Sequence, residues 1–569
     1  MEKVKRFKEN VIQMVDDFAN YTVQPRARIM GLHNSKHDPT EILELECGPI
    51  RGLAYEQNDG RIVDGYLGIP YAQPPINELR FKKPQKAEKW EDPLDCFQFG
   101  PRAPQNDELL GQFTNFVGKN EDNCLTLNVF APRWTSDDWP DGLPVMVFVH
   151  GGGFSVHSSS NYGSESIARN LCVKDVLVVS INYRLGVLGF FSTGDDLCPG
   201  NMGLWDQTLA LKWVQKHIEH FGGDRNNVTV FGQSAGGAST DLLCLSPHSQ
   251  NLFNRAIPMA GNSQCDWAIR TKEQQILLSR EYAKFIGFQG NEMDTVELLE
   301  FINEQPLYKL ELGINPKRGF KHTPAGLLYF VPIIDGDFFP EPLSELRKKA
   351  PKKAYLTGTT EFEGLFFVAL GGISRSSEGA KRFMKKIIKE CDFGDKTDEV
   401  IDEVHDYYFK NQKGQKHKTE QVVNFIGDYS INYGTWKFVN KMTEYGNDVW
   451  FYQFDYYNPH GFGIFKWLMP FLGSTHCTEM RYILGKGLIS KFRPDSSDKK
   501  MIEIMTTIFT NFAKYGNPNI ANWEKHSLNS PCKFYRIELE NQEMDDNYQE
   551  RRVEYWDKLQ TKNETRKLL

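Results

Sequence analysis

The feature that most constrains the fold is a tight glycine–serine turn between a strand and a helix. Residues 232–236 read Gly-Gln-Ser-Ala-Gly, and they follow 227–231, an apolar run typical of a buried strand. A stretch able to form a helix, 237–244, comes next. Only glycine-sized neighbours clear the backbone in such a turn, which leaves the serine hydroxyl exposed above a sheet edge. The pattern alone is common in unrelated chains, so its context carries the prediction of a nucleophile elbow at Ser234.

A second glycine motif lies upstream. Residues 150–154 read His-Gly-Gly-Gly-Phe and end the buried-type strand 145–149. Acyl transfer places negative charge on a carbonyl oxygen, and backbone N–H groups without a covering Cβ stabilise it by about 3–4 kcal/mol each. We expect the amides of Gly152, Gly153 and Ala235 to form this oxyanion hole, helped by the N-terminus of the helix after the elbow. Together the two motifs predict a serine hydrolase.

Composition excludes several other classes. The 569 residues carry a formal charge of −7 without a basic patch, which argues against a nucleic-acid partner. No segment has about 20 apolar residues, so no membrane span is predicted. Residues 4–18 have the pattern of a basic amphipathic helix, which suits docking on the protein's own surface better than weak membrane association. The ten cysteines lack metal-type spacing and no secretory signal is evident, so we expect no metal, no cofactor and a reducing, cytoplasmic location.

The alternation of apolar runs with helical patterns predicts an α/β fold with a large, mostly parallel central sheet flanked by helices. The strands are expected at 145–149, 176–181, 227–231, 255–259, 354–358 and 449–454, with antiparallel edge strands at 50–54 and 62–66. The clearest helix is expected at 203–220. Residues 270–440 are more helical and more charged, as expected of a cap that forms a gorge over the elbow. We expect an N-terminal extension (1–25), one domain (26–550) and a charged C-terminal tail (551–569).

Ser234 needs a histidine as base and a carboxylate that orients it, in the chain order Ser, acid, His. His476 follows the strand 449–454 within Gly-Ser-Thr-His, and its small neighbours let it reach the elbow; His460 is its main rival. The acid should follow the strand 354–358. Glu361, Glu363 and the earlier Asp335 qualify, and the residues alone do not choose among them.

Further motifs resemble those of the type-B carboxylesterase family, the cholinesterase-like branch of the α/β-hydrolases. The resemblance runs over about 45–525 and is closest to invertebrate esterases, those of nematodes among them. Besides the elbow and the glycine loop, the matching stretches are 68–72, 79–81, 122–128, 182–186, 203–207, 221–224, 509–512 and 516–518.

The resemblance implies a catalytic triad of Ser234, Glu363 and His476, since Glu363 precedes a glycine and two aromatics as in the family and His476 is followed three residues on by an acid, Glu479. It also implies the oxyanion donors named above. Residues that match substrate-binding positions are Gln233, Trp267, Phe366 and Phe367, and for the aromatic three plain core packing is an equal alternative. Two structural ion pairs are implied, Arg184 with Asp206 and Arg80 with Asp122.

Four features depart from the cholinesterase pattern. Gln233 replaces a glutamate before the nucleophile, and Thr114 replaces the tryptophan that binds a choline cation, which argues against choline esters. Cys96 and Cys124 match the first family disulfide, but Phe288 and Phe301 stand at the cysteines of the second. The family's serine after the next strand is replaced near Asn262.

The resulting hypothesis is a cytosolic carboxylesterase that acts on small or medium hydrophobic esters through an acyl-enzyme. Its activity should fall as pH drops through the pKa of His476, near 6–7. One alternative is an acyltransferase that uses the same triad on metabolite hydroxyls or amines. Another is a non-catalytic adhesion relative, which the presence of all three triad residues disfavours.

Overall fold

The structure is a computed structural model that describes residues 37–563, except 108–116, 314–319, 321–327, 371–374, 389–392, 411–413 and 487–491. The chain divides into two compact units, Met1–Asp38 and Pro39–Leu569, and every element below belongs to the second. The predicted extension 1–25 with its amphipathic helix, and the choline-site position Thr114, lie outside the described residues. The predicted domain bounds stay predictions.

A large sheet organises this unit. In the described part of the chain, eleven strands form it in the order β14-β13-β12-β11-β10-β9-β7-β8-β6-β4-β3, and β1, β2 and β5 form a small second sheet. The strands are β1 (Leu43–Leu45), β2 (Gly48–Arg51), β3 (Leu53–Glu56), β4 (Ile62–Pro70), β5 (Leu94–Asp95), β6 (Thr126–Pro132), β7 (Leu143–Val149), β8 (Leu177–Ile181), β9 (Gly223–Gln233), β10 (Arg255–Met259), β11 (Ala354–Thr360), β12 (Asp448–Phe454), β13 (Phe534–Ile537) and β14 (Glu543–Asp545).

The centre of the large sheet is parallel, from β8 through β7, β9, β10, β11 and β12 to β13. Every residue of β7 and β8 is buried, which explains why both read as continuous apolar runs rather than alternating ones. The antiparallel pairs lie toward the two ends. The predicted α/β fold with a mostly parallel sheet is confirmed.

Helices connect the strands and cover both faces of the sheet. The expected helix 203–220 is α3. Most of the described residues of 270–440 outside β11 are helical, as predicted, while the gorge stays a prediction. The helices are α1 (Glu165–Asn170), α2 (Gly186–Phe190), α3 (Met202–His217), α4 (Ala235–Leu245), α5 (Lys272–Ile286), α6 (Thr295–Asn303), α7 (Leu307–Leu310), α8 (Leu343–Lys349), α9 (Glu363–Ala369), α10 (Ser377–Ile387), α11 (Thr397–Phe409), α12 (Gln415–Gly427), α13 (Tyr433–Glu444), α14 (Met480–Leu484), α15 (Ser496–Tyr515) and α16 (Arg552–Asn563). None of the helices in the described part is both long and apolar enough to cross a bilayer.

Two local predictions need correction. The expected edge strand 50–54 is broken at Gly52, whose backbone pairs with Thr40 through two hydrogen bonds, so β2 joins the small sheet and β3 the large one. In the region predicted as a charged tail, α16 instead packs on the unit through three buried apolar residues, Val553, Trp556 and Leu559.

The implied cysteine bridge is not formed. Cys96 and Cys124 are free and buried, and the Cys124 thiol donates a hydrogen bond to the carbonyl of Glu121 at 3.5 Å. Burial raises the pKa of Cys96 to about 12 and raises the pKa of Cys124 as well, so both are neutral thiols near pH 7. At the second cysteine pair of the family, the rings of Phe288 and Phe301 pack together with centroids 5.2 Å apart.

One implied ion pair is confirmed and the other is wrong. Arg184 binds Asp206 at 2.7 Å, with both side chains almost fully buried. Arg80 binds Glu121 at 2.6 Å instead of the adjacent Asp122. Pairing with Glu121 suits burial better, because Glu121 is itself buried whereas Asp122 is exposed.

Candidate active site

Ser234 lies in a strained turn between β9 and α4. Its φ of 58° and ψ of −125° are unusual for a residue with a side chain, and such strain persists where the surroundings fix it. Its amide donates to the Met259 carbonyl at 2.9 Å. A methyl group on Gly236 would lie 2.1 Å from the Val149 oxygen, so the close approach of β7 demands glycine there. Ser234 is half-buried and lies directly after the carboxyl end of β9, at the edge of a parallel sheet where ligands bind.

The glycine loop after β7 runs beside this turn. A methyl group on Gly151 would lie 3.2 Å from Ser234 Cβ. Gly152 and Gly153 have φ of 106° and 60°, conformations that favour glycine. Among the described residues, no acceptor is bonded to the amides of Gly152, Gly153 or Ala235. The three predicted oxyanion donors therefore lie on the two segments that meet at Ser234, with free N–H groups.

His476 and Glu363 form a buried pair. His476 Nδ1 lies 2.6 Å from Glu363 Oε2, and their side chains are 4% and 0% exposed. The other carboxylate oxygen, Oε1, accepts a hydrogen bond from the Thr360 amide at 2.7 Å. Both carboxylate oxygens therefore have donors, which fixes the orientation of the carboxylate toward the imidazole.

The two residues meet because their loops leave neighbouring strands. Thr360 and Phe454 end β11 and β12 at the same level of the sheet. The Phe362 amide donates to the Ser474 carbonyl at 2.9 Å, and the Phe366 amide donates to Thr475 Oγ1 at 2.8 Å. These bonds join the loop that holds Glu363 to the loop that holds His476, across 113 residues of sequence.

Gln233 lies against the imidazole. Its amide nitrogen is 3.3 Å from both ring nitrogens of His476, and its Oε1 accepts a hydrogen bond from the Cys477 thiol at 3.1 Å. It is only 1% exposed, so this predicted substrate-binding residue packs on the histidine rather than facing open space. Sequence reasoning missed Cys477, whose signal was its place directly after His476.

The pKa of His476 is raised well above its ordinary value. Burial alone would lower this pKa, and Cys477 and Glu363 reverse the sign. Burial raises the pKa of the Cys477 thiol itself, so the thiol is neutral near pH 7, and there the raised pKa of His476 depends on its bond with Glu363. Glu479 is also buried close by; burial and then the charge of Glu363 raise its pKa to about 8, so it carries a proton at neutral pH.

Ser234 and His476 share no hydrogen bond among those of the described residues. The closest link is through Gln233, which precedes Ser234 and contacts the ring. Catalytic hydrogen bonds are often long in the resting enzyme and tighten in the complex with substrate.

The rival acids and the rival base lie elsewhere. His460 is exposed, and its amide bonds Asn458. Asp335 accepts the amides of Asp337 and Phe339 in its own loop. Glu361 is half-buried beside Asp455, and burial together with that carboxylate raises its pKa to about 8. The structure thus brings Glu363, rather than Glu361 or Asp335, to His476.

Aromatic side chains lie near His476 and near the glycine loop. The rings of Phe366 and Phe367 lie 6.1 and 5.2 Å from the His476 ring, and both residues are half-buried. Trp267 lies 6.3 Å from Phe154 of the glycine loop, with its indole N–H bonded to the Ser430 carbonyl. Asn262, by contrast, is fully buried and its Oδ1 accepts the Gln264 amide. No cluster of three or more His, Cys, Asp or Glu residues suited to a metal ion occurs in the described ranges.

Comparison with known proteins decides the family. The profile of the carboxylesterase family matches residues 39–556. The chain belongs to the carboxylesterase family. It is 46% identical to esterase cest-33 of Caenorhabditis elegans over 93% of this chain and 95% of that protein. It is 33% identical to cholinesterase of Mus musculus, over 84% and 79% of the two chains, and 30% identical to gut esterase 1 of Caenorhabditis briggsae, over 85% and 88%.

Membership confirms the predicted resemblance, the α/β-hydrolase fold and the class of enzyme, a carboxylesterase hydrolase whose substrates are small-molecule esters. The geometry around Ser234 is therefore that of a carboxylesterase-family chain.

Proposed function

We propose that this carboxylesterase hydrolyses small or medium hydrophobic esters through Ser234, His476 and Glu363. The observation that carries the proposal is the buried 2.6 Å bond between His476 Nδ1 and Glu363. It leaves Nε2 of the imidazole as the basic atom, on the ring whose face packs on Gln233, the neighbour of Ser234.

The reaction follows from these positions. His476 Nε2 takes the proton of Ser234, and the Ser234 oxygen attacks the ester carbonyl. The resulting oxyanion accepts hydrogen bonds from the amides of Gly152, Gly153 and Ala235. His476 then donates its proton to the departing alcohol, and water repeats the sequence on the acyl-enzyme. Glu363 holds the imidazole in one tautomer and stabilises the imidazolium that forms in each step.

The aromatic walls support a hydrophobic acyl or alcohol group. Phe366, Phe367 and Trp267 present apolar surface near the base and the glycine loop. The fully buried Gln233 adds no charge beside the base. These features favour neutral, apolar esters over cationic ones.

The deciding test is Ser234→Ala, assayed on chromogenic esters of graded acyl length. Turnover should fall by about 10⁶-fold, and a fluorophosphonate probe should label the wild type and not the variant. Ser527→Ala, which changes an exposed loop serine, is the matched control and should keep both properties. Retention of most turnover by Ser234→Ala would reject the assignment of the nucleophile.

Two alternatives are outcomes of the same experiment. Acyl transfer shares the acyl-enzyme, so product masses measured with added alcohols or amines distinguish it from hydrolysis. A non-catalytic adhesion role predicts no labelling of Ser234 and no turnover of any ester. The cytoplasmic location stays a prediction.

A further inference from the structure

The segment after β14 contains a left-handed turn of three residues with side chains. Gln549, Glu550 and Arg551 have φ of 48°, 53° and 59°. Each such conformation is unfavourable for an L-residue. Strain of this kind persists where contacts on either side hold the backbone in place. The contacts around this turn therefore identify the parts of the molecule that it positions.

The turn is fastened to the ends of β11 and β12. Gln549 Nε2 donates to the Thr360 carbonyl at 3.2 Å and to Gln453 Oε1 at 3.1 Å. The Tyr548 hydroxyl lies 2.8 Å from Thr359 Oγ1. Tyr548 and Gln549 are both buried. The loops that follow these two strands carry Glu363 and His476. The turn is therefore bonded to the strand ends from which both loops begin.

One residue, Thr360, separates Gln549 from the Glu363 carboxylate, through two successive peptide groups that meet at its Cα. The Thr360 amide donates to Glu363 Oε1 at 2.7 Å, and the Thr360 carbonyl accepts from Gln549. A shift of the Thr360 residue changes the direction of its amide, and with it the position of the carboxylate that bonds His476.

Gln549 is itself held by a buried ion pair. Arg552 Nη2 donates to Gln549 Oε1 at 2.9 Å, and Arg552 Nε donates to Asp428 Oδ2 at 2.6 Å. Asp428 is fully buried and also accepts from the Tyr408 hydroxyl at 2.7 Å. It opens a short π-helical segment, Asp428–Asn432, directly after α12.

The end of α12, directly before this segment, approaches the other side of the acid. A methyl group on Gly364, the residue after Glu363, would lie 2.0 Å from the Val423 oxygen and 2.7 Å from the Gly427 nitrogen. The end of α12 therefore touches the backbone at Gly364, while Gln549 bonds the backbone at Thr360. The network around Arg552 fixes Glu363 from both sides.

We propose that Gln549, held by Arg552, is a positioning residue that sets the direction of Glu363 through the backbone of Thr360. The inference rests on the proposed function, because it assigns Glu363 as the acid that orients His476. Gln549 acts only through Thr360 and is not a catalytic residue.

The test uses two variants. Gln549→Met keeps the volume and removes all three side-chain hydrogen bonds, and Gln549→Glu keeps the acceptor for Arg552 and loses the donor to Thr360 and Gln453. Per fluorophosphonate-labelled site, both should lose about tenfold in kcat, with KM changed much less, because a displaced acid weakens transition-state stabilisation. In Gln549→Met, which adds no charge, the acidic midpoint of the kcat/KM–pH profile should move to lower pH, since the imidazolium loses part of its partner.

The matched control is Arg551→Ala. Arg551 lies on the same left-handed turn, but within the described part of the chain its guanidinium bonds only Glu554 and the Asp546 carbonyl. This variant should keep the wild-type kcat and pH midpoint. Wild-type kcat per labelled site in both Gln549 variants and a wild-type midpoint in Gln549→Met, with only the melting temperature lowered, would overturn the positioning role. If Gln549→Met yields no labelled protein, the kcat of Gln549→Glu decides alone.

Failure of the proposed function is a separate result. It appears as turnover and labelling retained by Ser234→Ala, whatever the Gln549 variants do.

Discussion

Replacement of Glu363 by Gln is the sharpest test of the buried pair, because it preserves shape and removes only charge. The Thr360 amide needs an acceptor and will keep the amide oxygen of the new side chain. That choice turns the amide N–H₂ toward His476 Nδ1, which then has to accept a hydrogen bond. The proton of neutral His476 moves to Nε2, the atom that should take the proton of Ser234.

The expected loss has two parts. The imidazolium that forms in the transition state loses its carboxylate partner, and for charges centred about 4 Å apart this is worth about 4 kcal/mol at an effective dielectric constant of about 20. That figure corresponds to about a thousandfold in kcat. The wrong tautomer adds to it, and the same type of change in a Ser-His-Asp triad costs about 10⁴-fold. We therefore expect a loss of between about 10³ and 10⁴-fold.

The assay measures kcat and kcat/KM on one chromogenic ester, with active sites counted by slow fluorophosphonate labelling. KM should change little, because the interaction is made in the transition state. Thermal unfolding monitored by circular dichroism checks that the variant is folded. A loss below about tenfold in a folded, titrated variant would refute Glu363 as the orienting acid.

Three further predictions follow from charge and packing. Gln233→Glu places a carboxylate about 3.3 Å from the His476 ring, which should raise the pKa of His476 further and move the acidic midpoint of kcat/KM upward by at least one pH unit; an unmoved midpoint contradicts this. The pKa of Glu479 rises from 4.5 to about 8 on folding, so the wild type should lose stability relative to Glu479→Gln as pH rises from about 4.5 to about 8. Melting temperatures of the two proteins that stay parallel across that range would reject this prediction. Gly364→Ala, whose methyl group would lie 2.0 Å from a backbone oxygen, should destabilise the fold by about 1–3 kcal/mol, whereas Gly118→Ala, in open space, should not; equal melting temperatures would refute this packing argument.

The pH profile that the structure predicts for the wild type differs from the one expected from the sequence. Activity requires neutral His476, so it should fall as pH drops through the pKa of this residue. The sequence placed that pKa near 6–7, but the structure raises it above its ordinary value of 6.5. We expect the acidic limb of kcat/KM to have its midpoint above pH 6.5, and a midpoint well below 6 would contradict the contact with Glu363.

Local pattern was sufficient to predict the elements that build the site. The strand, turn and helix around Ser234 are adjacent in sequence, and so are β7 and the glycine loop, so hydrophobic runs and glycine positions specify them directly. The base and the acid had weaker local signals, because small neighbours only favour His476 over His460 and the residues alone do not choose Glu363 over Glu361. The resemblance to a family chose among them, and the geometry brings the chosen pair together.

Errors arose where tertiary contacts select between near-equal neighbours. Glu121 and Asp122 are adjacent acids, and only burial selects Glu121 as the partner of Arg80. The helix Arg552–Asn563 has charged residues that mask its apolar stripe in the sequence. Gln549 carried no signal at all, because its neighbours Thr360 and Gln453 are 189 and 96 residues away.

The charges around His476 explain why a glutamine at position 233 suits this site. Glu479 keeps its proton near pH 7, since its pKa is about 8, and the Cys477 thiol is neutral because burial raises its pKa. The imidazole therefore faces a single carboxylate, Glu363. A second carboxylate at 233 would favour the imidazolium in the resting enzyme as well as in the transition state, and a base that is already protonated cannot accept the proton of Ser234. A neutral Gln233 thus preserves the difference between the two states, on which general-base catalysis depends.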